Sequence, residues 1–152
     1  MIALVQRVLE ASVFIESKMF DMIGNGLLVL LGVRMDDSEN DARYLAAKTV
    51  NLRIFSDEYE KMNLSLLDKG YDILVVSQFT LHADTRHGNR PSFTDAAEPE
   101  LAEHLYNCYI DECKNLLSVG KVKEGKFGEM MKVKLVNDGP VTITLRSKND
   151  YQ

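Results

Sequence analysis

Two short, wholly apolar runs constrain this chain more than any other feature: Leu27-Leu28-Val29-Leu30-Leu31-Gly32-Val33 and Ile73-Leu74-Val75-Val76. Runs of this length with no polar face fit strands buried on both sides. Such strands need covering layers, so helices must pack on the sheet they form. The rest of the pattern supplies those helices. Ala42, Leu45, Ala46, Thr49 and Leu52 recur at helical spacing after a cap at Asp36, Asp37 or Ser38, with Arg43 and Lys48 turned outward. A second helix starts near Pro99 and carries Leu101, Leu105, Cys108, Tyr109 and Leu116 on one stripe.

Ile2–Val8 and Ser12–Glu16 read as two further strands, and Gly24-Asn25-Gly26 as a hairpin turn. Asp57 to Asp68 and Ser118 to Gly128 read as loops. Val133–Val136 and Val141–Leu145 read as closing strands around Asn137-Asp138-Gly139-Pro140. The expectation is an α/β chain, with an α+β-like mixed sheet of about six strands and two main helices. No Pro/Gly/Ser linker divides residues 1–152, so a single domain is expected.

Composition narrows the function classes. No apolar run approaches the roughly 20 residues of a membrane span, and the first residues lack a secretory pattern. Two cysteines make no disulfide framework, and a reduced cytoplasmic setting is expected. The net charge is −5, yet six lysines between Lys114 and Lys134 face only Glu124 and Glu129. That stretch reads either as a solvated loop or as a local contact for a polyanion through Lys121, Lys123 and Lys126. His104 and Cys108 share a helix face at i, i+4, but the sequence offers no third ligand at metal spacing. Cys108 reads as a small core hydrophobe, and neither metal nor cofactor is expected.

Two segments carry chemistry. Val75-Val76 changes abruptly to Ser77-Gln78-Phe79-Thr80, and ligand sites in sheet proteins gather where strands end. Ser77, Thr80, His82 and Asp84 also contain the parts of a hydroxyl nucleophile, a base and an orienting acid. The second segment, Asn137-Asp138-Gly139-Pro140, puts a proline between two strands. It reads either as a hairpin turn or as a rigid element that aims carbonyl oxygens at a ligand.

Together the segments resemble one family signature. Ser77-Gln78-Phe79-Thr80-Leu81-His82-Ala83 is similar to an SQFTLxA motif, and Asn137-Asp138-Gly139-Pro140-Val141-Thr142 to an NxGPVT motif, of the D-aminoacyl-tRNA deacylases. The likeness extends to Met1–Val8, Gly26–Val33, Arg53–Asp57, Lys61-Met62-Asn63, Arg90-Pro91-Ser92-Phe93 and Phe127-Gly128. Ile143 departs from it, standing where many relatives carry phenylalanine.

The resemblance implies a D-aminoacyl-tRNA deacylase-like fold and a cytoplasmic homodimer with its active site at the subunit interface. The implied reaction frees a D-amino acid from its tRNA ester, and glycyl-tRNA passes as well. Ser77, Gln78, Phe79 and Thr80 are the implied catalytic segment; Asn137, Gly139, Pro140 and Arg7 are the implied substrate-binding group. A cis Gly139–Pro140 bond entering the partner's site would reject L-aminoacyl esters by steric exclusion. The tRNA 2′-OH assists the attack in this reading, whereas Thr80 as nucleophile or as activator of water is the competing version. A non-catalytic tRNA-binding module and a hydrolase of free esters are the alternatives of other classes.

Overall fold

The structure is a computed structural model that describes residues 1–148. Strand β1 (Ile2–Ile15) pairs on one side with β2 (Lys18–Ile23) and β3 (Gly26–Gly32), and on the other with β8 (Lys132–Arg146). Between β3 and β8 in the chain lie α1 (Glu39–Val50), β4 (Phe55–Ser56), β5 (Met62–Leu64), α2 (Leu66–Lys69), β6 (Asp72–Ser77), α3 (Pro99–Leu117) and β7 (Val122–Glu124). The apolar strand β6 pairs parallel with β3, and β7 pairs parallel with β6. A mixed sheet of six strands with two long helices matches the expected fold class.

The helices α1 and α3 cover one face. Their cluster joins Ala3, Val5, Leu27, Val29, Ile73 and Val75 of the sheet to Leu45, Ala46, Leu105, Tyr109 and Ile110 of the helices. Tyr109 is fully buried, and its hydroxyl donates to Thr49 Oγ1 at 2.7 Å, which itself donates to the Leu45 carbonyl. Ser38 starts α1, with Asp41 accepting from its N–H at 2.9 Å and its hydroxyl at 2.7 Å. The helix ends at Val50, so Leu52 lies beyond it, although it still packs against the core. A smaller cluster of Val8, Ala11, Val13, Ile23, Leu28, Leu74 and Val76 fills the other face. There the sheet rolls over, and the Glu124 N–H reaches Asp21 on β2 at 3.4 Å.

Four local expectations are corrected. Residues 2–15 form one strand rather than two, because the register shift near Leu9 breaks the alternation without ending the pairing. The turn between β1 and its hairpin partner is Glu16-Ser17, both at positive φ, whereas Gly24-Asn25 only interrupts that partner. The pairing on its two sides, Ala11 with Ile23 and Val8 with Gly26, keeps the same register. Asn137-Asp138-Gly139-Pro140 is no hairpin turn either. It is a bulge inside the single strand β8, lying between the pairs Gln6–Thr142 and Val8–Asn137. Finally, both expected loops contain strands: β4 and β5 pair antiparallel near Asp57–Asp68, and β7 forms the sheet edge within Ser118–Gly128.

Candidate active site at the end of the parallel strands

Strand β6 loses its apolar character at Ser77 because it leaves the core there. The Gln78 N–H still donates to the Leu31 carbonyl at 2.8 Å, and a 3-10 turn, Phe79–His82, follows. This turn packs tightly on the end of β3, since a Cβ at Gly32 would lie 3.0 Å from the Gln78 carbonyl oxygen and 3.1 Å from Leu81 Cβ. Glycine is what lets the turn sit so close. The first N–H groups of such a turn have no partner within it, and among the described residues no acceptor takes those of Phe79 or Thr80.

A cleft of about 730 Å³ opens beside the turn. Ser77, Gln78 and Phe79 form one wall, Ala102 and Tyr106 of α3 another, and Phe127 to Met131 a third. Its mouth is apolar yet exposed: Phe79 is 56% accessible, Phe93 37% and Met130 91%. The Phe79 and Phe93 rings meet edge to face at 5.1 Å. Under the floor, the Tyr106 hydroxyl lies 2.8 Å from the Val75 carbonyl and 3.2 Å from that of Gly125. That contact ties α3, β6 and the third wall together. Burial pushes the Tyr106 hydroxyl well above the ordinary tyrosine range, so it stays a neutral donor.

Thr80 is exposed and stands outside the cleft lining, with its hydroxyl accepting from Gln78 Nε2 at 2.5 Å. The hydroxyl–base–acid arrangement is not assembled. Arg86 holds both carboxylate oxygens of Asp84 and keeps that carboxyl well below the usual range. His82 is buried beside the Gly32 backbone, and desolvation lowers its pKa. Sequence reasoning missed the cleft walls: Phe93, Ala102, Tyr106 and Met130 come from distant segments. Two signals were present in the resemblance, Arg90-Pro91-Ser92-Phe93 and Phe127-Gly128.

Gly139 and Pro140 lie elsewhere on the chain. They are exposed, and their peptide bond is cis. Asn137 closes the base of the bulge, accepting from the Val141 N–H at 2.8 Å and donating to the Val141 carbonyl at 3.2 Å. Those bonds replace part of the ladder that the extra residues interrupt. Gly139 has φ +134°, and a Cβ there would meet Val141 Cγ2 at 2.8 Å. The Arg7 side chain is only 12% exposed; its Nε donates to the Asp138 carbonyl at 3.0 Å and lies 3.1 Å from the Asp138 carboxylate. Its Nη1 donates to the Ile54 carbonyl at 2.5 Å. Arg7 therefore fixes the carbonyl just before Gly139 rather than those of Gly139 and Pro140.

The bulge does not meet the cleft within one chain. Pro140 sits opposite Arg7, whereas Ser77 is in register with Leu31 and hence with Ala3. The offset is roughly 13 Å along the strands and about 14 Å across three strand spacings.

The lysines are also spread out. Lys121 pairs with Asp72 at 3.2 Å, at the start of β6 and about 16 Å along it from Ser77. Lys123 faces away from the helices, opposite Leu74. Lys126 pairs with Glu129 at 3.1 Å, next to the cleft wall. Among the described residues no helix is long and apolar enough to cross a membrane.

A cleft beyond the carboxyl ends of parallel strands, in a mixed sheet backed by helices, marks a small α/β protein with a strand-end ligand site. Comparison with known proteins gives the family. The D-Tyr-tRNA(Tyr) deacylase family matches residues 4–146. A D-aminoacyl-tRNA deacylase of Thermosipho africanus (strain TCF52B) is 54% identical over 149 residues, spanning 98% of this chain and 99% of its own. Another, from Roseiflexus sp. (strain RS-1), is 57% identical over 145 residues, spanning 95% and 92%. A solved c-Myc DNA unwinding element binding protein is similar with TM-score 0.93 at 42% identity, over 97% of this chain and 99% of that one. A probable eukaryotic D-amino acid tRNA deacylase shares the fold, with TM-score 0.85 at 16% identity over 95% and 97%. The chain belongs to the D-Tyr-tRNA(Tyr) deacylase family and, like its curated relatives, is a hydrolase.

Proposed function

We propose that this protein hydrolyses the ester of D-aminoacyl-tRNA in the cytoplasm, releasing the free D-amino acid and tRNA. Water adds to the ester carbonyl, the carbon–oxygen bond to the terminal ribose breaks, and the ribose oxygen leaves with a proton. The observation that carries this reading is the pair of N–H groups at Phe79 and Thr80 that no acceptor takes among the described residues, beside a cleft in a chain of this family. Backbone donors of this kind stabilise a developing oxyanion, and each contributes typically about 10²–10³ in rate. Among the described residues the Thr80 hydroxyl is held by Gln78 Nε2, with no histidine or carboxylate bonded to it. The terminal 2′-OH of the tRNA therefore assists the attack.

The cleft is completed by a second copy of the chain. Gly139 and Pro140 of the partner subunit enter its mouth, and their backbone carbonyls bind the substrate ammonium group. The separation of bulge and cleft within one chain supports this, as does the rigid support of the bulge by Arg7 and Asn137. An L side chain would run into that backbone, whereas a D side chain points to open space. Glycine has nothing to exclude, so glycyl-tRNA passes.

Matched time courses on D-Tyr-tRNA and L-Tyr-tRNA test the reading. The D ester is expected to disappear rapidly with the L ester spared; equal loss of both would remove the steric filter, and loss of neither would remove the activity. In the same assay Thr80→Ala is expected to retain turnover within about fivefold, since a threonine without a base is a poor nucleophile. Near-complete loss with tRNA binding intact would instead make Thr80 a direct participant.

Lys126, Lys123 and Lys121 contact phosphates at increasing distance from the ester. The exposed ion pairs of Lys121 and Lys126 are weak competitors for such contacts. Changing all three to alanine is expected to make the negative slope of log affinity against log salt shallower by about two to three units. An unchanged slope would place the RNA on another face.

A further inference from the structure

We propose that Glu39, His104 and Cys108 form a binding site for a borderline-soft divalent cation, with Zn²⁺ the ion that suits the donor set. The site joins α1 to α3 on the side of α3 away from the cleft. His104 and Cys108 stand one turn apart on α3, and their Nε2 and Sγ atoms are 3.8 Å apart. Glu39, in the first turn of α1, brings its Oε1 to 2.9 Å from the same Nε2. All three donor atoms lie within 4.8 Å of one another. A tetrahedral ion with bonds of about 2.0–2.3 Å holds its ligands about 3.3–3.8 Å apart, so little rearrangement is needed.

The donor chemistry is selective. One carboxylate oxygen, one imidazole nitrogen and one thiolate make a poor set for Mg²⁺ or Ca²⁺, which take oxygen ligands. They suit Zn²⁺ or Co²⁺. Arg43 donates to the other carboxylate oxygen, Oε2, at 2.6 Å, which orients Glu39 so that Oε1 faces His104. Ligating carboxylates are commonly held by outer partners in this way. Cys108 is a free, half-buried thiol at the edge of the core, while Cys113 is fully buried elsewhere on the helix. Among the described residues no fourth histidine, cysteine or carboxylate joins the group, so water takes the fourth position.

Sequence spacing showed two of the three ligands and could not show Glu39, which lies 65 residues before His104. The site is separate from catalysis. Ala102 and Tyr106 line the cleft, and a step of two residues from either turns about 200° around the helix to His104 or Cys108. A bound cation therefore clips the two covering helices together and stabilises the folded chain by mass action.

Reduced, chelator-treated protein titrated with Co²⁺ tests the proposal. One equivalent is expected to give tetrahedral visible bands and a near-ultraviolet thiolate-to-cobalt band, both removed by Zn²⁺, which raises the melting midpoint by several degrees. Cys108→Ser is expected to abolish the near-ultraviolet band. His104→Ala and Glu39→Gln are expected to keep that band while weakening binding at least tenfold. All three variants should deacylate at the wild-type rate, which also shows that they fold. Absence of a thiolate band in the wild-type protein, or binding unchanged in Cys108→Ser and His104→Ala, would overturn the site.

Discussion

Arg7→Ala is expected to cut D-Tyr-tRNA turnover by two orders of magnitude or more and to lower the unfolding free energy by about 2–3 kcal/mol. The stability loss follows from the acceptors left behind. Arg7 donates to the Asp138 and Ile54 carbonyls and pairs with the Asp138 carboxylate. Its side chain is nearly buried, while the Asp138 side chain is 43% exposed, which keeps the loss below that of a fully buried pair. The larger effect on turnover follows from position. Asp138 immediately precedes the two residues proposed to bind the ammonium group, so its release lets their carbonyls wander. A misplacement of about 1 Å can cost about 10²-fold in rate. Arg7→Lys should recover little, because one ammonium cannot reproduce a fork that serves acceptors on two sides. Denaturant melts alongside deacylation rates separate the two effects: lost stability with unchanged turnover well below the melting transition would show that Arg7 only supports the fold.

The contrast between the two motifs shows what the sequence could reveal. The end of β6 was legible because a fully apolar run switches to Ser-Gln-Phe-Thr at the residue where the strand leaves the core. The helix faces were legible for the same local reason, as Leu45, Ala46, Leu105 and Tyr109 fall on stripes that are buried. The bulge was not. An Asn-Asp-Gly-Pro turn and an Asn-Asp-Gly-Pro bulge use the same residues, and only pairing with β1 on both sides distinguishes them. Strand β2 was hidden because Met19, Phe20 and Met22 are all exposed, so Lys18–Ile23 shows no clean alternation. The cleft walls, like Glu39 beside His104, are products of tertiary contact. Periodicity carries no information about which distant segments will meet.

The second large effect concerns where one site ends and another begins. Gly139→Ala is expected to be inactive: a Cβ at φ +134° is strained, and it collides with Val141 Cγ2. Gln78→Ala is expected to be strongly impaired for an unrelated reason, because Gln78 forms part of the cleft wall beside the proposed oxyanion donors. If each site takes its bulge from one copy and its strand end from the other, the defects complement. Unfolding and refolding the two inactive proteins together gives, by random pairing, about half mixed dimers. Each mixed dimer has one site with an intact Gly139 and an intact Gln78, and one site with neither. Activity should return to about a quarter of the wild-type level, whereas either variant refolded alone stays inactive. A site built within one chain predicts no recovery at all, because every strand end would remain coupled to its own bulge. The separation of roughly 13 Å along the strands and about 14 Å across them makes recovery the expected result.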